Sequence, residues 1–173
     1  MSKLYFNKGQ LAEDIWVQVA DDAPLQNDTP SIISLSRFKE QAASLAERTG
    51  PLGVRIDAGS KQGEDVEEIA DRLDQLDLIA IDFPAFRNGR GYSTARILRE
   101  HLGFSGELRA MGEVLIDQLI FMHRCGFSSY EIDTEQNKSL DSNHFTDAFA
   151  RFPDAYQPAG DDNRGILWHR GQS

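Results

Sequence analysis

The sequence predicts an α/β fold in which repeated βα units surround a mainly parallel sheet. Short apolar runs of strand length alternate with longer amphipathic segments, and the links between them are short. Three of the runs end in an aspartate, at Asp57, Asp82 and Asp133, and these recur at the spacing of a helix plus a strand. Two architectures fit this pattern: an open, doubly wound sheet with helices on both faces, and a curved, partial βα barrel.

The first 30 residues are expected to form a small appended unit, residues 1–30, before the βα repeats. Residues 4–6 and 15–19 have the composition of short strands, which predicts a small N-terminal strand pair. Residues 21–30 are polar and contain two prolines, as is typical of a linker. We therefore place a boundary after residue 30.

The βα domain is predicted to cover residues 31–152, with five strands that are each followed by a helix. Ser36 is expected to cap the first helix. Residues 153–173 are expected to be a partly flexible tail. The predicted strands cover residues 32–35, 53–57, 78–83, 106–111 and 129–133, and the predicted helices cover residues 37–48, 64–76, 94–102, 113–125 and 141–152.

The charge, the cysteine count and the hydropathy of the chain restrict the ligands that it is expected to bind and the cellular compartment in which it is expected. The 173 residues carry a formal net charge of −10, which argues against non-specific binding of nucleic acid. A single cysteine, Cys125, excludes an intrachain disulfide, and the four histidines show no metal-ligand spacing. The start of the chain lacks a signal peptide and no run reaches membrane-spanning length, so we expect a cytoplasmic protein without a metal site.

The segment after the third predicted strand contains most of the candidate binding residues of the chain. It is basic and glycine-rich, and it leads from a strand-end aspartate into a predicted helix. Because N–H groups at a helix start and arginine side chains both attract anions, the segment predicts an oxyanion site. Ligands of parallel sheets also bind at the carboxyl ends of the strands, where this segment begins. The candidate anion- or partner-binding residues in it are Asp82, Arg87, Asn88, Gly89, Arg90, Gly91, Tyr92 and Ser93.

Structural roles compete with this interpretation. Arg87 and Arg90 could instead form ion pairs with acidic neighbours and hold the loop in place. The two glycines are expected to serve backbone geometry, because the run matches neither the phosphate loop nor the dinucleotide fingerprint. Tyr92 could act as an acid or stack on a flat ligand, although packing at the helix entrance is the favoured role. Ser93 is expected to be the helix N-cap rather than a nucleophile.

Two residues of the next βα unit complete the set of candidates. Arg109 is expected at the end of the fourth strand, where it could join the two loop arginines in a pocket of three or pair with Glu113. Asp117 lies in a mostly apolar predicted helix and needs a cationic partner if it is buried. Arg109 and Arg96 are the candidates for that partner, and structural pairing is the favoured role.

Several short blocks between residues 78 and 132 resemble one bacterial family, the domain of unknown function numbered nine-three-four. The family is commonly encoded beside assimilatory sulfite reductase and is often labelled an oxidoreductase of sulfite reduction. One departure is Asn88, which stands where the family pattern Asp-Gly-Arg-Gly has aspartate. Asparagine keeps a turn role but not a role that needs a carboxylate. The blocks that carry the resemblance are residues 82–93, 95–99, 106–110, 112–115, 117–118 and 124–127.

The resemblance implies an accessory protein of assimilatory sulfate or sulfite reduction. The loop predicts that it binds a small oxyanion or its sulfite reductase partner through residues 87–93. A second hypothesis is an oxidoreductase with a separately bound flavin or nicotinamide cofactor, whose phosphate would lie at Gly112, although Glu113 would repel it. A third is a non-catalytic scaffold whose loop is wholly self-paired. The sequence assigns no catalytic residue and no resident cofactor.

Overall fold

One sheet of eight strands organises the protein. The computed structural model describes residues 3–59, 61–84 and 89–152, with the side chains of residues 61–65 not described. The predicted tail, residues 153–173, lies outside the described residues. The strands are β1 (Lys3–Asn7), β2 (Gln10–Ala12), β3 (Val17–Gln18), β4 (Ser31–Ser34), β5 (Leu52–Asp57), β6 (Leu78–Phe83), β7 (Glu107–Gly112) and β8 (Ser129–Asp133).

From β4 onward, each strand is followed by one or two helical segments. None of the helices in the described ranges is long and apolar enough to cross a membrane. The helical segments are α1 (Leu35–Glu40), α2 (Ala42–Ala46), a 3₁₀ helix (Lys61–Gln75), α3 (Arg90–Arg96), a π-helical turn (Ile97–His101), a 3₁₀ turn (Ile116–Gln118), α4 (Leu119–Arg124) and α5 (Ser142–Ala150).

The strand order decides between the two predicted architectures. It is β2-β1-β8-β7-β6-β5-β4-β3, with all neighbours from β3 to β8 parallel. Because the parallel strands follow one another in chain order, the sheet lacks the reversal that a doubly wound sheet requires. The sheet curls into a half-barrel, so the partial-barrel prediction is confirmed and the doubly wound alternative is wrong.

The predicted N-terminal strand pair has different members from those expected. β1 pairs antiparallel with β2 and, on its other side, with β8. The strand predicted at residues 15–19 is limited to β3, which pairs with β4 at the opposite edge of the sheet. The first 30 residues thus supply strands to both edges of the one sheet.

A short segment, residues 13–16, joins these two edges, and we call it the strap. In a flat sheet, seven strand spacings of about 4.8 Å would separate the edges by about 34 Å. The five residue steps from Ala12 to Val17 reach at most about 18 Å. The sheet therefore has to curl for the chain to close, and the strap crosses its concave face.

The helices pack on the convex face, and the concave face carries charged side chains. In β5 the buried Val54 and Ile56 alternate with Arg55 and Asp57. A parallel sheet covered by helices on both faces would be apolar on both faces. The alternation in β5 therefore places the main core on the convex side, and a smaller apolar cluster lies on the concave face at Ile32, Leu78, Ala80 and Met111. Residues that build this core include Phe6, Phe38, Val54, Ile79, Leu98, Leu108, Tyr130 and Phe149.

Several helix boundaries differ from the predicted ones for local reasons. Ser34, and not Ser36, caps the first helix, because its Oγ accepts a hydrogen bond from the backbone N–H of Arg37 at 3.1 Å. Gln41 has non-helical backbone angles and divides the predicted helix 37–48 into two. Gly112 adopts a φ of 83°, and the helix predicted to start at residue 113 begins only after the turn that follows.

Candidate functional site

The carboxyl ends of β5 and β6 bring an arginine and two aspartates together on the concave face. Asp57 and Asp82 are register partners on the two parallel strands. Arg55 lies two residues before Asp57 and hence on the same face. Its Nη2 lies 3.3 Å from Oδ2 of Asp82, and its side chain is 48% exposed. The parallel register thus builds a cluster of mixed charge that is open to solvent.

The carboxylate of Asp82 contacts Arg55 on one side and the backbone of Gly112 on the other. Burial raises the pKa of its carboxyl above the ordinary value, while Arg55 opposes the rise and Asp57 adds to it. A Cβ placed on Gly112 would lie 2.4 Å from Oδ1 of Asp82, so the carboxylate packs directly on the backbone of that glycine.

An open cavity of about 520 Å³ lies beside Arg55. Its volume is within the range of small-molecule sites. One wall is held by Arg37, whose guanidinium donates to the Ala20 carbonyl at 2.7 Å. No group of three or more His, Cys, Asp or Glu side chains within the described residues could hold a metal ion. The polar residues that line the cavity are Gln18, Asp21, Ser34, Arg55 and Asp57.

The glycine-rich segment leaves β6 beside this cluster. Arg87 and Asn88 lie outside the described residues. Gly89 and Arg90 are exposed at the start of α3. A Cβ on Gly91 would lie 2.4 Å from the ring of Phe83, so the glycine lets the helix pack on that ring. This is the geometric role expected of it.

Tyr92 and Ser93 both lie inside α3. The ring of Tyr92 packs against Phe83 with the centroids 5.3 Å apart, as expected for packing at the helix entrance. Burial raises the pKa of Tyr92 to about 12, with smaller contributions from Cys125 and Asp117. The N-cap prediction for Ser93 is wrong, because helical backbone already begins at Gly89 and Arg90.

Arg109 lies in the middle of β7 and is 1% exposed beneath the strap. Its Nη1 and Nη2 donate to the two carboxylate oxygens of Asp14 at 2.9 and 3.1 Å. Its Nε and Nη2 also donate to Oε1 of Glu107 at 3.1 and 3.0 Å. The predictions that Arg109 ends its strand and pairs with Glu113 are therefore wrong, because its side chain turns to partners under the strap.

Glu107 fixes this arginine to the sheet. The same Oε1 accepts hydrogen bonds from Ser129 Oγ at 2.6 Å and from the Tyr5 hydroxyl at 2.9 Å. Burial acts to lower the pKa of Arg109, but the carboxylates of Glu107 and Asp14 outweigh it and raise the pKa above its ordinary value. The guanidinium is thus charged, buried and held in one orientation.

Asp117 is exposed in the 3₁₀ turn before α4. The pairing predicted for it is wrong, because burial, which would have required a cation, does not occur. Arg96 instead lies 3.2 Å from Glu100 on its own helical segment.

A family model described as "Bacterial protein of unknown function (DUF934)" matches residues 53–167 of this chain. The chain belongs to this family. No curated protein and no solved structure matches it. The DUF934 match begins in β5, so it includes Arg55, Asp82 and Arg109, while the strap and the first four strands precede it.

Three residues of this DUF934 chain were not predicted from the sequence as members of a site: Arg55, Glu107 and Asp14. A signal existed for the first of these, because a charged residue between two apolar residues of a strand points away from the core. Arg55 lies between Val54 and Ile56 in this way. No signal existed for Asp14, which meets its partner across 95 residues of chain.

Proposed function

We propose that this protein is a cytoplasmic accessory protein of assimilatory sulfite reduction that binds a small oxyanion at the carboxyl edge of its half-barrel. Sulfite and sulfate are the proposed ligands, and sulfite reductase is the proposed partner. Arg55 carries the proposal. A guanidinium has five N–H donors, and the 3.3 Å pair with Asp82 is the single polar contact of the Arg55 side chain among the described residues.

Two other arginines of the fold have their donors engaged by the protein. Arg99 donates to the carbonyls of Phe104, Gly106 and Gly126 at 2.7 to 3.0 Å. Arg109 donates to two carboxylates. Arg55 differs because it is half exposed beside an open cavity. A planar guanidinium with open donors is the side chain best suited to an oxyanion.

The surroundings of Arg55 support a ligand that is small and charged. Arg90 is exposed at the start of α3, just past the loop that leaves the same edge of the sheet. The hydroxyl of Ser34 lines the cavity and can still donate, because its oxygen is the acceptor for the backbone N–H of Arg37. The pathway and the partner rest on the family resemblance, and the anion rests on the arginine.

Calorimetry with sulfite, sulfate and phosphate tests the anion. Arg55→Ala should weaken binding by about 1.5–3 kcal/mol, which is about 10–150-fold, because it removes a charge-assisted hydrogen bond. Arg96→Ala is the matched control, since this arginine pairs with Glu100 away from the cavity and its loss should leave the affinity unchanged. Equal affinity in the wild type and Arg55→Ala would contradict the site.

Affinity purification with sulfite reductase tests the partner. The expected result is co-elution of the reductase with the wild-type chain at physiological ionic strength. Its failure to co-elute, while the anion still binds, would remove the reductase from the proposal and leave the oxyanion site.

A further inference from the structure

A second arginine lies in the same row of the concave face as Arg55. The register pairs Arg55 with Ala80, and Ala80 in turn with Arg109. The two arginines are thus two strands apart, about 10 Å between backbones. Between them stands Ala80, whose small side chain is fully buried in the inner apolar cluster against which Trp16 packs.

The strap lies over this row. Asp14 forms the two-pronged contact with Arg109, and Trp16 packs half-buried on the inner apolar cluster that contains Ala80. The strap residues belong to no helix or strand, and Ile15 between the two anchors is 63% exposed. The segment is therefore attached to the concave face through alternate side chains.

Arg109 does not depend on the strap for its position. Glu107 holds its Nε and Nη2, and Glu107 is itself fixed by Ser129 and Tyr5. All of these residues belong to strands β1, β7 and β8. The paired Nη1 and Nη2 edge is the edge that faces Asp14. Two parallel N–H···O contacts to a carboxylate are also how arginine holds a free carboxylate or a tetrahedral oxyanion.

We propose that the strap is a plug in a two-arginine oxyanion site. Asp14 takes the place of the anionic ligand on Arg109, and Trp16 covers Ala80. When the strap lifts, Arg55 and Arg109 hold one tetrahedral oxyanion between them above Ala80. The inference rests on the proposed function for the class of ligand, and it adds the second arginine and the segment that controls access.

Trp16 reports on the plug directly. The chain contains two tryptophans, so Trp168→Phe leaves Trp16 as the single tryptophan emitter. Titration of this variant with sulfite, sulfate and phosphate should shift the emission to longer wavelength with saturation, because the indole moves into water. Sodium chloride at matched ionic strength is the control. Any salt screens the ion pair between Asp14 and Arg109, so screening alone would shift the emission equally with chloride and with the oxyanions. Equal shifts with chloride and with the oxyanions would overturn the proposal.

Asp14→Asn tests the competition between strap and ligand. An internal competitor reduces the apparent affinity, because the intrinsic affinity is multiplied by the fraction of molecules in which the competitor is released. With a released state populated at about 10% or less, Asp14→Asn should tighten sulfite binding by at least about tenfold. Glu13→Gln is the matched control, because it removes the same charge from an exposed neighbour in the strap. Arg109→Met added to Asp14→Asn should abolish the gain.

The outcomes separate this inference from the proposed function. If Arg55→Ala weakens binding but Asp14→Asn leaves the affinity unchanged and Trp16 does not shift, the plug is refuted and the Arg55 site stands. If neither the wild type nor Asp14→Asn binds any of the three anions, both proposals fail. The fluorescence titration requires no substitution at the ion pair, so it remains decisive even where Asp14→Asn folds poorly.

Discussion

Glu107→Ala is the substitution for which the structure makes the sharpest stability prediction. Four hydrogen bonds converge on Oε1 of this residue, from the Tyr5 hydroxyl, Ser129 Oγ, and Nε and Nη2 of Arg109. Removal of the carboxylate leaves the guanidinium of Arg109, which is 1% exposed, with Asp14 as its remaining carboxylate partner. It also leaves the fully buried hydroxyl of Ser129 without its acceptor.

The expected cost follows from these two losses. Breaking a buried ion pair by removal of one partner costs about 3–5 kcal/mol, and the pair that Arg109 keeps with Asp14 places the expected cost near the lower end of this range. The orphaned hydroxyl is part of the same network, so its cost falls within that range rather than adding fully to it. For a chain of this length, about 3–5 kcal/mol corresponds to a fall in Tm of about 6–20 °C.

Urea unfolding followed by far-UV circular dichroism measures the effect. Glu100→Ala is the matched control, because it breaks the exposed pair with Arg96 and should cost less than about 1 kcal/mol. Arg109→Met added to Glu107→Ala should restore part of the loss, since an apolar side chain replaces a buried charge that has lost one of its two carboxylate partners. If Glu107→Ala lost no more stability than Glu100→Ala, the argument that Glu107 fixes Arg109 would be refuted.

Two further predictions concern α3 and the tyrosines. Gly91→Ala should lower stability by about 1–3 kcal/mol, because its Cβ would lie 2.4 Å from the buried Phe83 ring. Gly89→Ala, with no described atom within 4 Å and a φ of −67°, should be neutral or slightly stabilising, and equal losses in urea unfolding of the two variants would contradict the packing argument. Burial raises the pKa of both Tyr5 and Tyr92 to about 12. Between about pH 10 and 12 the folded state therefore holds protons that the unfolded state has released, and stability should fall as pH rises through this window. Tyr92→Phe should flatten part of the fall in a series of urea midpoints, and an unchanged slope would refute the assignment.

The order of strands and helices in the βα part of the chain could be predicted from local pattern. Each predicted strand from residue 32 onward is present, and Asp57 and Asp82, which end two of the predicted apolar runs, lie side by side in the register. Apolar runs and turn residues act within a few positions, so a single sequence carries them. Helix starts were less predictable, since Gly89 opens α3 without a side-chain cap.

The curl of the sheet could not be read from local pattern. Residues 4–6 and 15–19 were expected to pair with each other, whereas β1 and β3 lie six places apart in the strand order. Which strands become neighbours depends on contacts distant in sequence. Once the positions of β2 and β3 are known, the length of the strap alone demands the curl.

The family match covers only part of the eight-stranded sheet. The match begins at residue 53, inside β5, so it contains both arginines of the proposed site. Its outer strands would be β5 and β8, which in the structure are covered by β4 and β1. Uncovered strands of this kind expose unpaired backbone groups. The first 52 residues therefore complete the sheet, and they also supply the strap and Gln18 of the cavity wall. If Arg55 and Arg109 hold the anion, the residues that set the affinity for the anion and the strap that controls its access to the site lie in separate stretches of the chain. Substitutions between residues 13 and 18 can then change which anions enter while the guanidinium groups that bind them stay the same.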